Sequence, residues 1–169
     1  MLCTPLDVIA ADHVRDRQIC ADLDNLSMSD GLDRALAQEA LRFANADLGI
    51  HMRDMAEDLF PLLRRRCPPE EDIGRAITRM TSDWEAARAL LPRTRSVLAD
   101  CLDADRAPTP NEAAVLVCFT HHTRCRLSAE KAILLPLARV RLTDRDIESL
   151  RLRMQARRGI TPTIETCHA

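Results

Sequence analysis

The chain has no tyrosine, only three phenylalanines and one tryptophan, and only four glycines in 169 residues. Strands favour aromatic and β-branched residues, and no segment alternates apolar and polar residues for long without also fitting the helical period. Alanine, leucine, arginine and glutamate, which favour helices, are abundant instead. The composition therefore predicts an all-α protein, and the length predicts one domain with a substantial core.

Long apolar runs and regular cysteine patterns are also missing. Since no stretch of 18 apolar residues and no charged start followed by an apolar segment occurs, we expect neither a membrane span nor an export signal. The seven cysteines, an odd number without a Cys-x-x-Cys pair, fit a reducing cytoplasm better than a disulfide framework. The formal net charge of −2 gives no reason to expect a nucleic-acid or membrane partner. These features predict a soluble, cytoplasmic protein.

Prolines and capping residues mark the helix starts clearly. Thr4-Pro5-Leu6-Asp7 and Thr109-Pro110-Asn111-Glu112 each supply an N-cap hydroxyl, a proline at the first helical position and an acid three residues after the cap. These segments predict the starts of the first and fourth helices.

Three further helices are predicted from similar signals. Ser29 or Asp30 caps a second helix that runs slightly beyond Pro61. A third helix opens at the Pro68-Pro69 pair and contains Pro92, which should kink or split it.

A short fifth helix, capped by the segment Thr143-Asp-Arg-Asp146, ends near Gly159 and Pro162. The chain thus predicts an up-down-up-down four-helix bundle with a short extra C-terminal helix. We expect residues 1–142 to form the bundle, residues 143–158 to pack on it as a helix, and residues 159–169 to be a disordered tail.

Two segments, residues 51–61 and 126–136, look like copies of one motif that ends in proline, and each copy lacks a different half of it. Alignment on the prolines pairs two positions: His51 with Arg126, and Met55 with Glu130. A histidine and a carboxylate four residues apart lie on one face of a helix, about 40° apart around its axis, as metal ligands do in helical bundles. The first copy keeps the histidine and the second keeps the carboxylate.

Helical projection turns several polar side chains towards the interior. On the fourth helix, the apolar stripe of Val115, Phe119, Ile133 and Leu137 includes His122, Arg126 and Glu130. On the other helices, the inward polar residues are His13 and Arg17, His51 with Asp47 and Asp58 nearby, and Arg88 on the face that carries Trp84. Buried polar groups are costly when unpaired, so these side chains need a partner, a metal ion or water.

Three motifs occur in a characteristic order: Asp12-His13-x-x-x-Arg17, the His51 segment that ends Asp-Leu-Phe-Pro-Leu-Leu, and the Glu130 segment that ends Ile-Leu-Leu-Pro-Leu-Ala. With these motifs, the chain resembles the hemerythrin-like, or HHE cation-binding, domain family. The resemblance implies a four-helix bundle with a non-haem di-iron site. Members of that family bind or sense oxygen, nitric oxide or iron, or serve in iron handling and stress responses.

The resemblance also implies a ligand set that this chain keeps only in part. The family's histidines on the first and second helices match His13 and His51, and the carboxylate of its fourth helix matches Glu130. The other ligands fall on residues that do not replace them: Met55 for the second-helix glutamate, Trp84 and Arg88 near the third-helix histidines, and Arg126 for the fourth-helix histidine. We therefore expect one iron's ligands to be kept, with guanidinium groups near the lost second site.

Two interpretations stay open. In the first, His13, His51 and Glu130 hold one ion, because two imidazoles and a carboxylate suit non-haem Fe(II) and also zinc or manganese. Further candidate ligands are Asp54, Asp58 and His122. In the second, Arg126 pairs with Glu130, Asp47 or Asp58, no metal is bound, and the bundle acts as a protein-interaction or regulatory module.

The first interpretation predicts a sensor, or an iron, oxygen or nitric-oxide response module, with O2 or NO as its small ligand. The second predicts a protein partner instead. We expect no enzymatic activity, since nothing beyond the three ligands suggests a substrate pocket or a catalytic base.

Two other patterns have simpler explanations. Cys118-x-x-x-His122-x-x-Cys125 lies on one flank of the fourth helix and is a candidate second metal or redox site, although burial of small thiols is the simpler reading. Its cysteines are about 10 Å apart along the helix, too far for a disulfide. The arginines of the last helix predict a solvated face, with an acidic partner surface as the alternative.

Overall fold

The computed structural model describes residues 4–160, and within them the chain forms helices joined by short links, without β-strands. The prediction of an all-α fold is confirmed. Of the predicted tail, residues 161–169 lie outside the described residues. No helix in the described part of the chain combines the length and hydrophobicity that a membrane span requires.

Five helical stretches follow one another in the described residues. The first is α1 (Pro5–Met28). The second joins α2 (Arg34–Asn45), α3 (Asp47–Arg53), a first π-helical segment (Asp54–Leu59) and α4 (Phe60–Arg66). The third is α5 (Ile73–Ala104), which a 3-10 turn (Pro69–Glu71) precedes. The fourth joins α6 (Pro110–Ala129), a second π-helical segment (Glu130–Leu134) and α7 (Leu135–Arg141). The fifth is α8 (Asp144–Arg157).

These stretches pack as the predicted four-helix bundle with one extra helix. Helix α1 contacts α2 and α6, and α5 contacts the same two helices, which closes the bundle. Helix α8 lies against α1 and the first π-helical segment. The C-terminal helix α8 therefore lies beside the motif that contains His51.

The threonine caps are confirmed, whereas the cap predicted for the second helix is wrong. Thr4, Thr109 and Thr143 each form a capping box with the acid three residues later. The second stretch is capped by Asp33 rather than by Ser29 or Asp30, and Ser29 instead ends α1. Helix α5 continues through Pro92 without being split.

Both copies of the proline motif contain a π turn immediately before the proline. The N–H of Phe60 donates to the carbonyl of Met55, and that of Leu135 donates to the carbonyl of Glu130, five residues back in each case. Proline has no N–H to donate, and in a regular α-helix its ring clashes with the carbonyl four residues back. A π turn inserts an extra residue at this point and relieves the clash.

The second π turn also explains an error in the projected interior. Ile133 was expected in the apolar stripe but is 40% exposed, and Leu137 is only partly buried. Leu134, Leu135 and Ala138 fill the core instead. The extra residue of the π turn breaks the regular 100° spacing of side chains around the helix axis. The buried positions therefore shift by one residue along the chain.

The apolar core consists of two clusters with a polar layer between them. Along α1, Ile9 belongs to one cluster and Ile19 to the other, and His13 lies between them. In the same way, His51 follows Leu48 of one cluster and precedes Met55 of the other. The bundle thus surrounds its central polar residues with apolar side chains on both sides.

Candidate metal centre

Three side chains from three different helices meet in this polar layer. His13 of α1, His51 of α3 and Glu130 at the start of the second π-helical segment each bring one ligand atom within 4.8 Å of the others. Nε2 of His13 lies 2.7 Å from Oε2 of Glu130, and Nε2 of His51 lies 3.2 Å from the same oxygen. The side chains are at most 2% exposed. The structure therefore brings together the three residues that the sequence singled out as ligands.

Glu130 also receives hydrogen bonds from two further residues. The indole N–H of Trp84 donates to Oε1 at 3.0 Å, and Nη1 of Arg126 lies 3.2 Å from both carboxylate oxygens. Burial by itself raises the pKa of Glu130, but Arg126 and His51 outweigh it and hold that pKa well below its usual range. Glu130 is thus an ionised carboxylate in the centre of the protein.

Arg126 is itself buried and pairs with a second carboxylate. Its Nη2 donates to Oδ2 of Asp16 at 2.7 Å, and both side chains are at most 1% exposed. Of the three partners expected for this guanidinium, Glu130 is confirmed. Asp47 instead lies 3.0 Å from Arg42, and Asp58 lies 2.8 Å from Arg157. Sequence reasoning missed Asp16, although its position three residues after His13 places both on one face of α1.

His51 lies beside an excess of negative charge. Two buried carboxylates, Asp16 and Glu130, face one buried guanidinium, which leaves a formal charge of −1 before the imidazoles are counted. Burial by itself lowers the pKa of His51, but Glu130 and Asp12 outweigh it and raise that pKa to about 9. Oδ2 of Asp12 lies 3.8 Å from Nδ1 of His51. A cation at this point, whether a proton or a metal ion, offsets the charge.

The ring nitrogens test whether the site fits a metal ion. Neither nitrogen of His13 makes a hydrogen bond among the described residues, because its short approach to Glu130 lacks the geometry of one. Nδ1 of His51 also makes no hydrogen bond, although Oδ2 of Asp12 lies 3.8 Å away. Buried polar atoms without partners are costly, and ligation by Nε2 would satisfy one of these atoms. Two imidazoles and a carboxylate therefore fit a divalent ion such as Fe(II), zinc or manganese.

Comparison with known families agrees with this geometry. The model of the hemerythrin HHE cation binding domain matches residues 4–138. The chain belongs to the hemerythrin family. No curated protein matches the chain.

Within this hemerythrin domain, the residues that the resemblance aligns with the family's other ligands have different surroundings. Trp84 and Arg126 both contact Glu130, as described above. Met55 is fully buried in the apolar cluster that also contains Leu59. Arg88, however, is exposed, because the buried face of α5 continues from Trp84 through Ala87. The expectation of a second guanidinium in the interior is therefore wrong, and Arg126 alone occupies this region among the residues expected there.

The further candidate ligands do not join the central group. Asp54 and Asp58 are buried, but they pair with Arg157 of α8, whose Nη1 lies 2.8 Å from Oδ2 of Asp58. His122 is partly exposed and its Nδ1 lies 3.5 Å from Oδ1 of Asp83. Spacing placed His122 and Asp58 on or near the inner faces, but it cannot show that another helix supplies partners for such residues.

The arginines of the last helix were expected to form a solvated face, and this expectation is wrong for Arg157 and for Arg158 at its C-cap, which are only 13% and 21% exposed. Arg153, Arg157 and Arg158 pair with acids of the hemerythrin bundle itself: Asp58, Asp54, Glu57 and Asp12. Acids of the same chain therefore supply partners for these arginines.

The cysteine pattern on α6 does not assemble into a site. Cys118 is exposed, and the thiol of Cys125 lies 3.8 Å from Nε2 of His121 rather than near His122. The thiols of both cysteines are free, as expected from their separation along the helix.

Proposed function

We propose that this hemerythrin domain binds one non-haem metal ion through His13, His51 and Glu130, with Fe(II) as the natural ion and zinc or manganese as chemical substitutes. The observation that supports this most directly is the convergence of both Nε2 atoms on one oxygen of Glu130, at 2.7 and 3.2 Å, in a fully buried setting. The family's cation-binding character supports it independently.

Arg126 supports one ion rather than two. Its guanidinium pairs with Glu130 and Asp16, the two central carboxylates, and Met55 offers no carboxylate to bridge a second ion. A second divalent cation would therefore face a fixed positive charge at close range in a medium of low dielectric constant. The proposed centre is mononuclear for this electrostatic reason.

In this proposal the domain is a sensor, or an iron, oxygen or nitric-oxide response module, in the cytoplasm and without catalytic activity. A ferrous ion held by three protein ligands supplies open coordination positions for a small ligand such as O2 or NO. The three side chains are at most 2% exposed, which favours a diatomic ligand over an organic substrate. Free thiols at Cys20 and Cys101 suit a reducing compartment.

A second candidate function follows from the charge balance. With His51 protonated, Arg126 and His51 together offset Asp16 and Glu130 without any metal ion. The bundle would then be a metal-free regulatory or interaction module whose central polar layer has only a structural role.

Elemental analysis of the protein purified without added metal or chelator separates these functions. We expect about one iron, zinc or manganese ion per chain, and no ion in His51→Ala; His122→Ala is the matched control and should keep the ion, since His122 contacts Asp83 instead. Absence of metal from the wild type, persisting after anaerobic reconstitution with Fe(II), would support the metal-free function. Full occupancy in His51→Ala would contradict the proposed ligand set.

Spectroscopy of the reconstituted protein tests the sensor role separately. Under anaerobic conditions, NO should change the absorption and paramagnetic resonance spectra of the ferrous wild type. The reconstituted His122→Ala variant should respond equally. A protein that holds iron but shows no spectral change with either NO or O2 would contradict the sensor role while leaving the metal site intact.

A further inference from the structure

A polar cleft lies between α4 and α8, away from the central histidines. Its volume is about 370 Å³, and its lining combines side chains of both helices. Four of the lining residues are arginines: Arg65, Arg66, Arg145 and Arg153. Two are acids, Asp58 and Asp146, so the lining has a formal charge of +2. Pro61 and Leu62 complete part of the wall.

Asp146 orients the two arginines of α4. Its Oδ1 lies 3.0 Å from Nη2 of Arg65, and its Oδ2 lies 2.7 Å from Nε of Arg66. Asp146 is buried, whereas Arg65 is 63% exposed, so the carboxylate holds one end of a guanidinium that otherwise faces solvent. Arg65 uses one terminal nitrogen in this pair, and its other N–H groups are available to a ligand. A guanidinium held in this way loses less conformational entropy when it binds an anion.

The arginines of α8 add donors from the opposite wall. Arg145, Ser149 and Arg153 are spaced four residues apart and line the cleft together, as side chains on one face of a helix do. Arg145 forms no ion pair among the described residues. Arg153 pairs with Asp58 at 3.1 Å, but the other oxygen of Asp58 already accepts from Arg157. The positive charge of the cleft is therefore only partly offset.

We propose that this cleft binds a phosphate group, either free inorganic phosphate or the terminal phosphate of a small molecule such as a nucleotide. Guanidinium groups recognise phosphate through paired N–H donors, and here they come from two helices with a serine hydroxyl between the arginines of α8. The volume is at the small end for ligand pockets, and the lining is polar, which suits a compact anion better than an apolar ligand. The cleft shares no lining residue with the group formed by His13, His51 and Glu130.

Isothermal titration calorimetry of the full chain with inorganic phosphate, and separately with ADP, tests the proposal at constant ionic strength. Arg145→Gln and Arg65→Gln are the informative variants, because both side chains are exposed and their loss should leave folding intact. Arg93→Gln, an exposed arginine of α5 outside the cleft, is the matched control. Circular dichroism of each variant checks that the helices are retained.

We expect saturable binding of one anion per chain, weakened about tenfold in Arg145→Gln and in Arg65→Gln and unchanged in Arg93→Gln. Equal affinity for phosphate and ADP would identify the free anion as the ligand, and tighter binding of ADP would identify a nucleotide. Binding that does not saturate, that chloride at equal ionic strength abolishes, or that both cleft variants retain in full would overturn the proposal.

Discussion

Nη1 of Arg126 lies 3.2 Å from each carboxylate oxygen of Glu130, one turn further along the same helical stretch. The other terminal nitrogen of that guanidinium reaches Asp16 on α1. One buried cation thus joins two buried carboxylates and leaves a single negative charge for His51 or a metal ion to offset. We expect this arrangement to stabilise the central layer and, under the proposed function, to limit the site to one ion.

Removal of the buried guanidinium should be strongly destabilising. In Arg126→Leu, two carboxylates stay buried without their partner, and we expect a loss of about 3–5 kcal/mol in the free energy of unfolding. Arg124→Leu is the matched control, since Arg124 is 45% exposed in its pair with Asp24 and should cost less than about 1 kcal/mol. Urea unfolding with chelator present measures both. Equal losses in the two variants would contradict the central role of Arg126.

Restoration of the lost ligands should create a second metal site. The double variant Met55→Glu with Arg126→His removes the fixed positive charge and supplies a carboxylate and an imidazole at the positions where the family has them. We expect about two ions per chain by elemental analysis, because the repulsion between a guanidinium and a second cation is gone. Arg126→His alone should stay at one ion, since it lacks the bridging carboxylate. Single occupancy of the double variant would show that the two proline motifs are aligned incorrectly.

The pairs between α8 and the first π-helical segment should contribute to stability. In Arg157→Gln, Asp54 keeps only Arg158 as a partner. We expect a loss of about 2 kcal/mol in the free energy of unfolding, less than for Arg126→Leu because this partner remains. Arg151→Gln, on the same helix but paired with the exposed Glu148, should cost less than about 1 kcal/mol.

A double-mutant cycle isolates this contribution. The variant Asp54→Asn with Arg157→Gln should recover part of the loss, since the buried negative charge has been removed. Additive costs in urea unfolding would mean that the two side chains do not interact.

The hydrogen bonds of Glu112 predict that the free energy of unfolding depends on pH in the acid range. Hydrogen bonds from Arg106, at 2.7 and 2.9 Å, and from the backbone N–H of Thr109 lower the pKa of Glu112 from 4.5 to about 2. Because the folded-state value is depressed, the stabilisation is fully present above pH 4.5 and is lost as the pH falls towards 2. The stability difference between wild type and Glu112→Gln, measured by urea unfolding, should therefore shrink over this range. A difference that stays constant between pH 5 and pH 2 would contradict this linkage.

Local patterns in the chain were sufficient for the architecture. Each threonine capping box acts within four consecutive residues, so Thr4, Thr109 and Thr143 could be assigned without knowledge of the fold. Local sequence does not determine the start of the second helix, because Ser29, Asp30 and Asp33 are all good capping residues. Packing selects Asp33 among them. The same local logic, together with the family motifs, was sufficient to select His13, His51 and Glu130.

Sequence spacing alone could not predict which side chains of a helix face the core after a π turn. The π turn at Glu130 shifts every later side chain, which is why Leu134 is buried and Ile133 is exposed. A proline is the visible sign of such a turn, but Pro92 lies within an uninterrupted α5. Whether a proline follows a π turn or lies within a regular α-helix depends on how the surrounding helices pack.

The partners of the buried charges were decided only by tertiary structure. Asp16 and Arg126 are 110 residues apart in the chain, and Asp54 and Arg157 are 103 apart. Electrostatic interactions depend on the distance through space, so neither pair leaves a signal in a local window of sequence. Chain spacing was therefore able to select the three side chains that meet in the central polar layer, whereas the packing of the four helices and α8 determined which charges offset one another.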